Sequence, residues 1–438
     1  MTATPSARSS TTRSAAASID LSKRDLTLDL ARVFCVLLVV VIHLLMVGVG
    51  TGPDGELIAQ TPTESPVGSA PWFPLATWAG QIMPLFFVVG GFASITAWRS
   101  LTRRGGTGAE YVRNRVLRLA QPALPLYVFY AVVIGVAMLL AVAPELVTLA
   151  VQGAASPLWF LAAYTLCQAL VPFMVGWHTR APRATLVVLL AGAIVVDAVR
   201  YSTGIQQVGL LNLFFVWLLV QQLGFWYADG WFARRRWWQL ILIAAAAYAT
   251  LIPLTTWGPY SDNMLTNLNP PTLPLVALAV AQACVLRLLR PALAALMNTH
   301  AARAVVFLAG TRLMTIYLWH LPVILIITGI TLLIPGAAPE PGSAAWWWSR
   351  PLLYVLVLAA VFGLSFLVGR WEAPREITTT PPTGVVAVAA VLSFIPSFLV
   401  MQFFMDFWIA VTGSVLLAVA VLMLGRWPAP GEPKASAN

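Results

Sequence analysis

The chain has 438 residues, of which 59% are hydrophobic and only 10% charged, and a mean hydropathy of +0.83, which excludes an ordinary soluble or disordered protein. Its formal charge of +10 would suit nucleic acid, but the basic residues lie between apolar runs and form no stripe interleaved with aromatics, so no nucleic-acid partner is expected. Cys35, Cys167 and Cys284 sit in or beside apolar runs without CxxC spacing, which indicates neither a disulfide framework nor a thiolate metal site. The lipid bilayer is the partner that this composition requires.

Residues 1–23, rich in Ser, Thr and Ala, cannot bury a core and are expected to form a disordered tail. The next run is not read as a signal peptide: Asp29 and Arg32 intrude on its start, it is too long, and no convincing small-x-small cleavage site follows. Runs of about 20 apolar residues predict spans near 28–49, 76–98, 121–143, 157–177, 184–203, 208–228, 237–254, 271–290, 312–334, 350–370, 383–403 and 405–425, about twelve in all. The fold class is therefore an all-α integral membrane protein. No internal repeat, matched pair of broken segments or separate soluble domain is evident.

Arg8, Arg13, Lys23 and Arg24 precede the first span, whereas residues 50–74 carry Asp54, Glu56 and Glu64 but no Lys or Arg. The N-terminus is thus expected in the cytoplasm, and the basic loops that follow put the C-terminus there too. Trp72, Trp78, Trp257 and Trp346 to Trp348 fall where outer aromatic belts belong, and Trp231, Trp237 and Trp238 where inner ones do.

The stretch Arg24 to His43 carries charge and an imidazole into the first apolar run. On a helix Arg32 and His43 lie ~16 Å apart along the axis and ~20° around it, so they share a face, with Asp29 close to it. Charges facing lipid cost roughly 2.5–3.5 kcal/mol each at mid-helix, so this face should point into protein or an aqueous cavity. His43 then reads as a working group or as a core imidazole bonded to a neighbour. His320, with Tyr317 in T-I-Y-L-W-H-L-P-V, fits a helix-to-helix hydrogen bond or a substrate contact equally well. His178 and His300 fall in predicted loops and receive no role.

Arg113, Arg115 and Arg118 precede the predicted third span, and Arg115 and Arg118 share a helical face that suits phosphate, although positive-inside topology alone yields such a cluster. Gly90 and Gly91 let a helix or a substrate chain approach closely. Glu372, at the inner end of the tenth span, can pair with an arginine or simply be solvated, and Asp197 and Arg200 look like a local structural pair. There is no HExxH, no Cys/His metal spacing, no G-x-S-x-G, and no G-K-[ST] after the glycines at 105–108. No metal is expected.

With these pieces in order, the chain resembles the membrane acyltransferase 3 family. The first span matches its R-x3-L-D-x2-R-x10-H pattern through Arg24, Leu28, Asp29, Arg32 and His43. The F-F-x-x-S-G-F element matches through Phe86, Phe87, Gly90, Gly91 and Phe92, with Gly90 where the family often has Ser and Pro84 where many members have Asp. Further matches are Arg115, Arg118 and Pro122; Trp159, Phe160 and Leu161; Gly310, Ile316, Tyr317, Leu318, His320 and Pro322; and Glu372 with Pro374.

The resemblance implies a ten-span core over 24–376, two additional C-terminal spans over 377–426 and a short cytoplasmic tail over 427–438. It implies transfer of an acyl group, commonly acetyl, from acetyl-CoA or another acyl-CoA to a hydroxyl of a sugar, glycolipid or metabolite, in a bacterial plasma membrane. No cofactor would be bound permanently, since acyl-CoA is a co-substrate. His43 would be the base that activates the acceptor hydroxyl or would itself become acylated, Arg32 would orient the donor, and Arg113, Arg115 and Arg118 would meet the CoA phosphates. The competing class is a twelve-span secondary transporter or lipid-linked flippase, which would release no CoA.

Overall fold

The computed structural model describes residues 25–371 and 381–425. Arg24, Glu372, Pro374 and both tails lie outside the described residues. Helix α1, Leu26–Met46, starts where the Asp25 carboxylate accepts the Thr27 N–H at 3.1 Å, and Asp29 in its first turn complements the helix dipole. A short antiparallel hairpin, β1 Gly48–Thr51 and β2 Leu57–Gln60, follows with Gly48 opposite Gln60. Then come α2 Phe73–Gly80, α3 Met83–Arg103, α4 Gly108–Leu139, α5 Pro144–Ala155, α6 Trp159–Ala169, α7 Val171–Arg180, α8 Pro182–Thr203, α9 Asn212–Ala228 and α10 Trp237–Thr256. The remainder is α11 Pro274–Leu296, α12 His300–Gly310, α13 Leu313–Leu332, α14 Ala344–Val368, α15 Thr383–Phe403 and α16 Phe407–Gly425.

Among the described residues, twelve segments are long and apolar enough to cross a membrane, so the chain is an all-α multi-pass membrane protein. Two of the twelve consist of two α-helices with a break between them, contrary to the uninterrupted spans read from the sequence. One break is at Gln81 and Ile82, between α2 and α3; the other is the 3-10 turn Ser156–Leu158 between α5 and α6. Pro84 stands in the first turn of α3 and Pro157 in the 3-10 turn that leads into α6, where the missing N–H has no helical partner to lose. The third span also begins thirteen residues before the predicted position 121, because Thr107 caps α4 by accepting the Glu110 N–H at 3.2 Å. Arg113, Arg115 and Arg118 therefore ride on a continuous helix that runs on through Pro122 and Pro125.

Small residues set the closest helix approach. A Cβ on Gly91 would lie 2.3 Å from the Gln221 carbonyl oxygen, and one on Gly224 2.1 Å from that of Val88, so α3 and α9 meet backbone to backbone. The α15–α16 pair turns on Phe404 at φ 61° and packs on α4 and α6, with Tyr127 Oη and Ser397 Oγ 3.1 Å apart. Contacts fix the two ends of the bundle. At one, Arg290 donates to Asp25 at 3.3 Å and Arg99 to Asp229 at 2.7 Å; at the other, Trp78 Nε1 donates to the Asp262 carbonyl at 2.8 Å and the Thr51 N–H to that of Ala338 at 3.0 Å. The belt reading of the Trp346 run is corrected in part: Trp346 is fully buried under the Arg350 guanidinium, while Trp348 is exposed.

Candidate active site

The two broken spans meet α1 and α13 around one cavity of about 60 Å³. Its walls come from Val39 and His43 on α1, from Gly80 to Met83 at the first break, from Pro157, Trp159 and Phe160 at the second, and from Tyr317 on α13. Leu265 and Leu268, in the loop between α10 and α11, close it on the side away from the arginines. Non-helical backbone at membrane depth is tolerated where it is buried in protein or borders a cavity, and both breaks meet that condition.

His43 and His320 were read separately from the sequence, and the structure brings them into contact. His43 Nδ1 and His320 Nε2 are 2.9 Å apart, with ring centroids 5.0 Å apart and planes at 35°. His320 is itself buried, with its Nδ1 2.6 Å from the Tyr317 carbonyl oxygen. A carbonyl can only accept, so His320 Nδ1 carries the proton and its Nε2 offers a lone pair. His43 Nδ1 then carries the proton that faces His320, which leaves Nε2 as the unprotonated nitrogen, and the Val39 carbonyl is a further hydrogen-bond partner of the His43 ring. One backbone carbonyl thus sets the tautomer of two rings, and His43 becomes a base with a defined basic atom. Tyr317 is committed as well, since its hydroxyl donates to the Pro157 carbonyl and ties α13 to the second break.

Gln81 was not singled out in the sequence. It is buried in the cavity wall, and its Oε1 accepts the Met83 N–H at 3.1 Å. Its carbonyl accepts Gln282 Nε2 at 2.7 Å, which holds the break against α11.

The remaining candidates lie apart from the cavity. Arg32 is half-buried on α1, and its Nε has no hydrogen-bond partner among the described residues; Asp29 is half-buried one turn earlier. Arg115 is half-buried with its guanidinium 5.3 Å from the Tyr111 ring centroid, and Arg118 is exposed. Arg113 departs from the expected trio: it is turned inward at 3% exposure, and its Nε and Nη2 donate to the Asn114 carboxamide. None of these arginines lines the cavity. Gly90 leaves space for the Tyr164 ring, whose Cε2 would lie 3.1 Å from a Cβ at that position, and Gly91 serves the α3–α9 contact.

Two polar clusters are structural. His178, expected in a loop without a role, is buried on α7, with Nδ1 2.9 Å from Gln222 Oε1 and Nε2 2.9 Å from Asp229 Oδ2. Burial would raise the Asp229 carboxyl, but the hydrogen bonds and charges of Arg99 and His178 outweigh it and hold the group below its ordinary value. Asp197 pairs differently from the expected Arg200 contact: it accepts from Asn212 Nδ2 at 2.8 Å, Tyr260 Oη at 2.9 Å and the Leu273 N–H at 3.1 Å, while Arg200 donates to Gln206. The α10–α11 loop above the His43 cavity is thereby fastened to α8. Among the described residues, no group of His, Cys, Asp and Glu is arranged to hold a metal ion.

A chemically usable arrangement results: an oriented imidazole in a small, mostly apolar cavity. Compared with known families, residues 25–370 match the family model described as an acyltransferase domain, that of the acyltransferase 3 family. The match ends before α15. No curated protein and no solved structure matches the chain.

Proposed function

We propose, on the premise that the chain belongs to the acyltransferase 3 family and is a membrane acyltransferase, that it moves an acetyl group from acetyl-CoA to a hydroxyl of a cell-envelope carbohydrate, glycolipid or secreted metabolite. The setting is a bacterial plasma membrane with the arginine-rich end and both termini in the cytoplasm, so that CoA is met at that end and the acceptor at the other. The bond that forms is acyl carbon to acceptor oxygen, and the bond that breaks is acyl carbon to sulfur. His43 Nε2 takes the hydroxyl proton during attack, and the imidazolium returns it to the departing thiolate, giving an ester and free CoA.

The observation that carries this reading is the His43–His320 pair at the cavity, because an alcohol needs a positioned base and the pair supplies one with a fixed lone pair. The cavity beside His43 has room for a short acyl group. Arg115 and Arg118 would meet the CoA phosphates, with Arg113 holding Asn114 beside them, and Arg32 with Asp29 would steer the acyl arm. No arginine lines the cavity, so the arm would have to extend from the basic end to His43. Glu372, outside the described residues, is kept as a partner for that basic end.

The test is CoA release from labelled acetyl-CoA in membranes bearing the wild-type chain, with a cell-envelope extract as acceptor, beside His43→Ala and Arg32→Ala variants of equal abundance. Loss of about 10²- to 10⁴-fold is expected in His43→Ala. Wild-type membranes that release no CoA would return the protein to the transporter class.

A further inference from the structure

The acyl-transfer reading leaves one buried donor in the cavity wall without a function. Gln81 is only 2% exposed, and three of its four polar groups are committed: its N–H donates to the Thr77 carbonyl at 2.9 Å, its carbonyl accepts Gln282 Nε2 at 2.7 Å, and its Oε1 accepts the Met83 N–H at 3.1 Å. The fourth, Nε2, is buried with no hydrogen-bond partner among the described residues. Reversing the carboxamide does not relieve this, because it would set two donors, Nε2 and the Met83 N–H, against each other. A buried N–H with nothing to donate to is rare and calls for an explanation.

The surroundings supply one. Gln81 lines the same cavity as His43, and it immediately precedes Ile82, the N-cap of the 21-residue helix α3. The positive end of that helix dipole therefore borders the cavity, which favours negative charge there. Of the other side-chain donors in the wall, the Tyr317 hydroxyl is already given to Pro157, leaving the half-buried Trp159 indole N–H as the alternative. The Gln81 backbone is held at its N–H and its carbonyl and the carboxamide at Oε1, an anchoring of the kind that preorganised stabilisation of developing charge requires.

Resting on the proposed acyl transfer, we infer that Gln81 is a catalytic hydrogen-bond donor whose Nε2–H receives the negative charge on the acyl carbonyl oxygen in the tetrahedral intermediate. As the acceptor oxygen bonds to the acyl carbon, the carbonyl π pair moves onto that oxygen and Gln81 donates to it. When the pair returns, the C–S bond breaks, and the thiolate leaves with the proton held by His43. Base and donor thus belong to two residues, His43 on α1 and Gln81 at the α2–α3 break, that line one small cavity.

The experiment compares wild type, Gln81→Met, Gln81→Glu and Trp159→Phe in nanodiscs, with labelled acetyl-CoA and the envelope extract, measuring kcat and the KM for acetyl-CoA separately, with thermal midpoints alongside. Gln81→Met is expected to lower kcat about 10²- to 10³-fold with KM within about twofold, as removal of an oxyanion donor does. Gln81→Glu keeps the acceptor for the Met83 N–H, so it preserves the start of α3; at pH 8 its kcat should fall similarly. It decides the matter if Gln81→Met does not fold. A kcat near wild type in either folded variant, a rise in KM alone, or a loss confined to Trp159→Phe would overturn the role of Gln81. A wild type that releases no CoA would overturn the acyl-transfer reading itself, a separate and recognisable result.

Discussion

Replacing His320 with Leu isolates the contribution of the second imidazole, because it removes the acceptor of the His43 Nδ1–H while leaving the basic nitrogen in place. Between neutral rings at 2.9 Å the bond is worth about 0.5–1.5 kcal/mol; once His43 is protonated in the transition state it becomes charge-assisted, at about 1.5–3 kcal/mol. Roughly 1–1.5 kcal/mol is therefore realised only in the transition state, which corresponds to about a 5- to 13-fold fall in kcat. Freeing the His43 tautomer adds a small further loss. The KM for acetyl-CoA should not move, since the bond is equally present with and without donor. His43→Ala, by contrast, removes the base and should lose about 10²- to 10⁴-fold. Steady-state CoA release in nanodiscs measures all three proteins. Unchanged kcat in a folded His320→Leu would refute the proton chain, and a loss larger than that of His43→Ala would make His320 the base.

Other consequences are open to simpler assays. Gly91→Ala puts a methyl group into the Gln221 carbonyl, which backbone cannot evade, so a destabilisation of at least about 1–3 kcal/mol should appear as a lower thermal midpoint and reduced yield; a normal midpoint would mean that α3 and α9 are not in backbone contact. Gly90→Ala meets only the edge of the Tyr164 ring and should be milder in the same measurement. The Asp229 carboxyl lies below its ordinary value in the fold, so its contribution is present at neutral pH and is lost as pH falls below about 4 and through the depressed value. The thermal midpoint of the wild type should therefore drop more steeply over that acid range than that of Asp229→Asn, and parallel curves would remove the cluster from the acid response.

Spans were legible because hydrophobicity acts over twenty residues, and His43 because an imidazole in such a run is costly without a reason. Its contact with His320 was hidden by a sequence separation of 277 residues, and no local pattern encodes which helix lies beside which. The breaks at Gln81 and Pro157 were hidden differently: the residues around them stay apolar, so averaging over a window passes across a gap of two or three residues. Pro84 and Pro157 were the available signals, since Pro84 stands in the first turn of α3 and Pro157 in the 3-10 turn that leads into α6. Gln81 carries no charge and gave no signal; its meaning lies in which of its atoms is left without a partner. Arg113 misled because spacing along a helix fixes an angle but not the direction of the protein interior.

The α15–α16 pair has a temporal consequence. Helix α15 packs against the 3-10 turn that carries Pro157 and against α6 beyond it. In the order of synthesis this pair follows every residue that lines the His43 cavity. The wall at Pro157 must therefore insert and hold without its backing, and the cavity takes its final shape only when the last two helices have left the ribosome and docked.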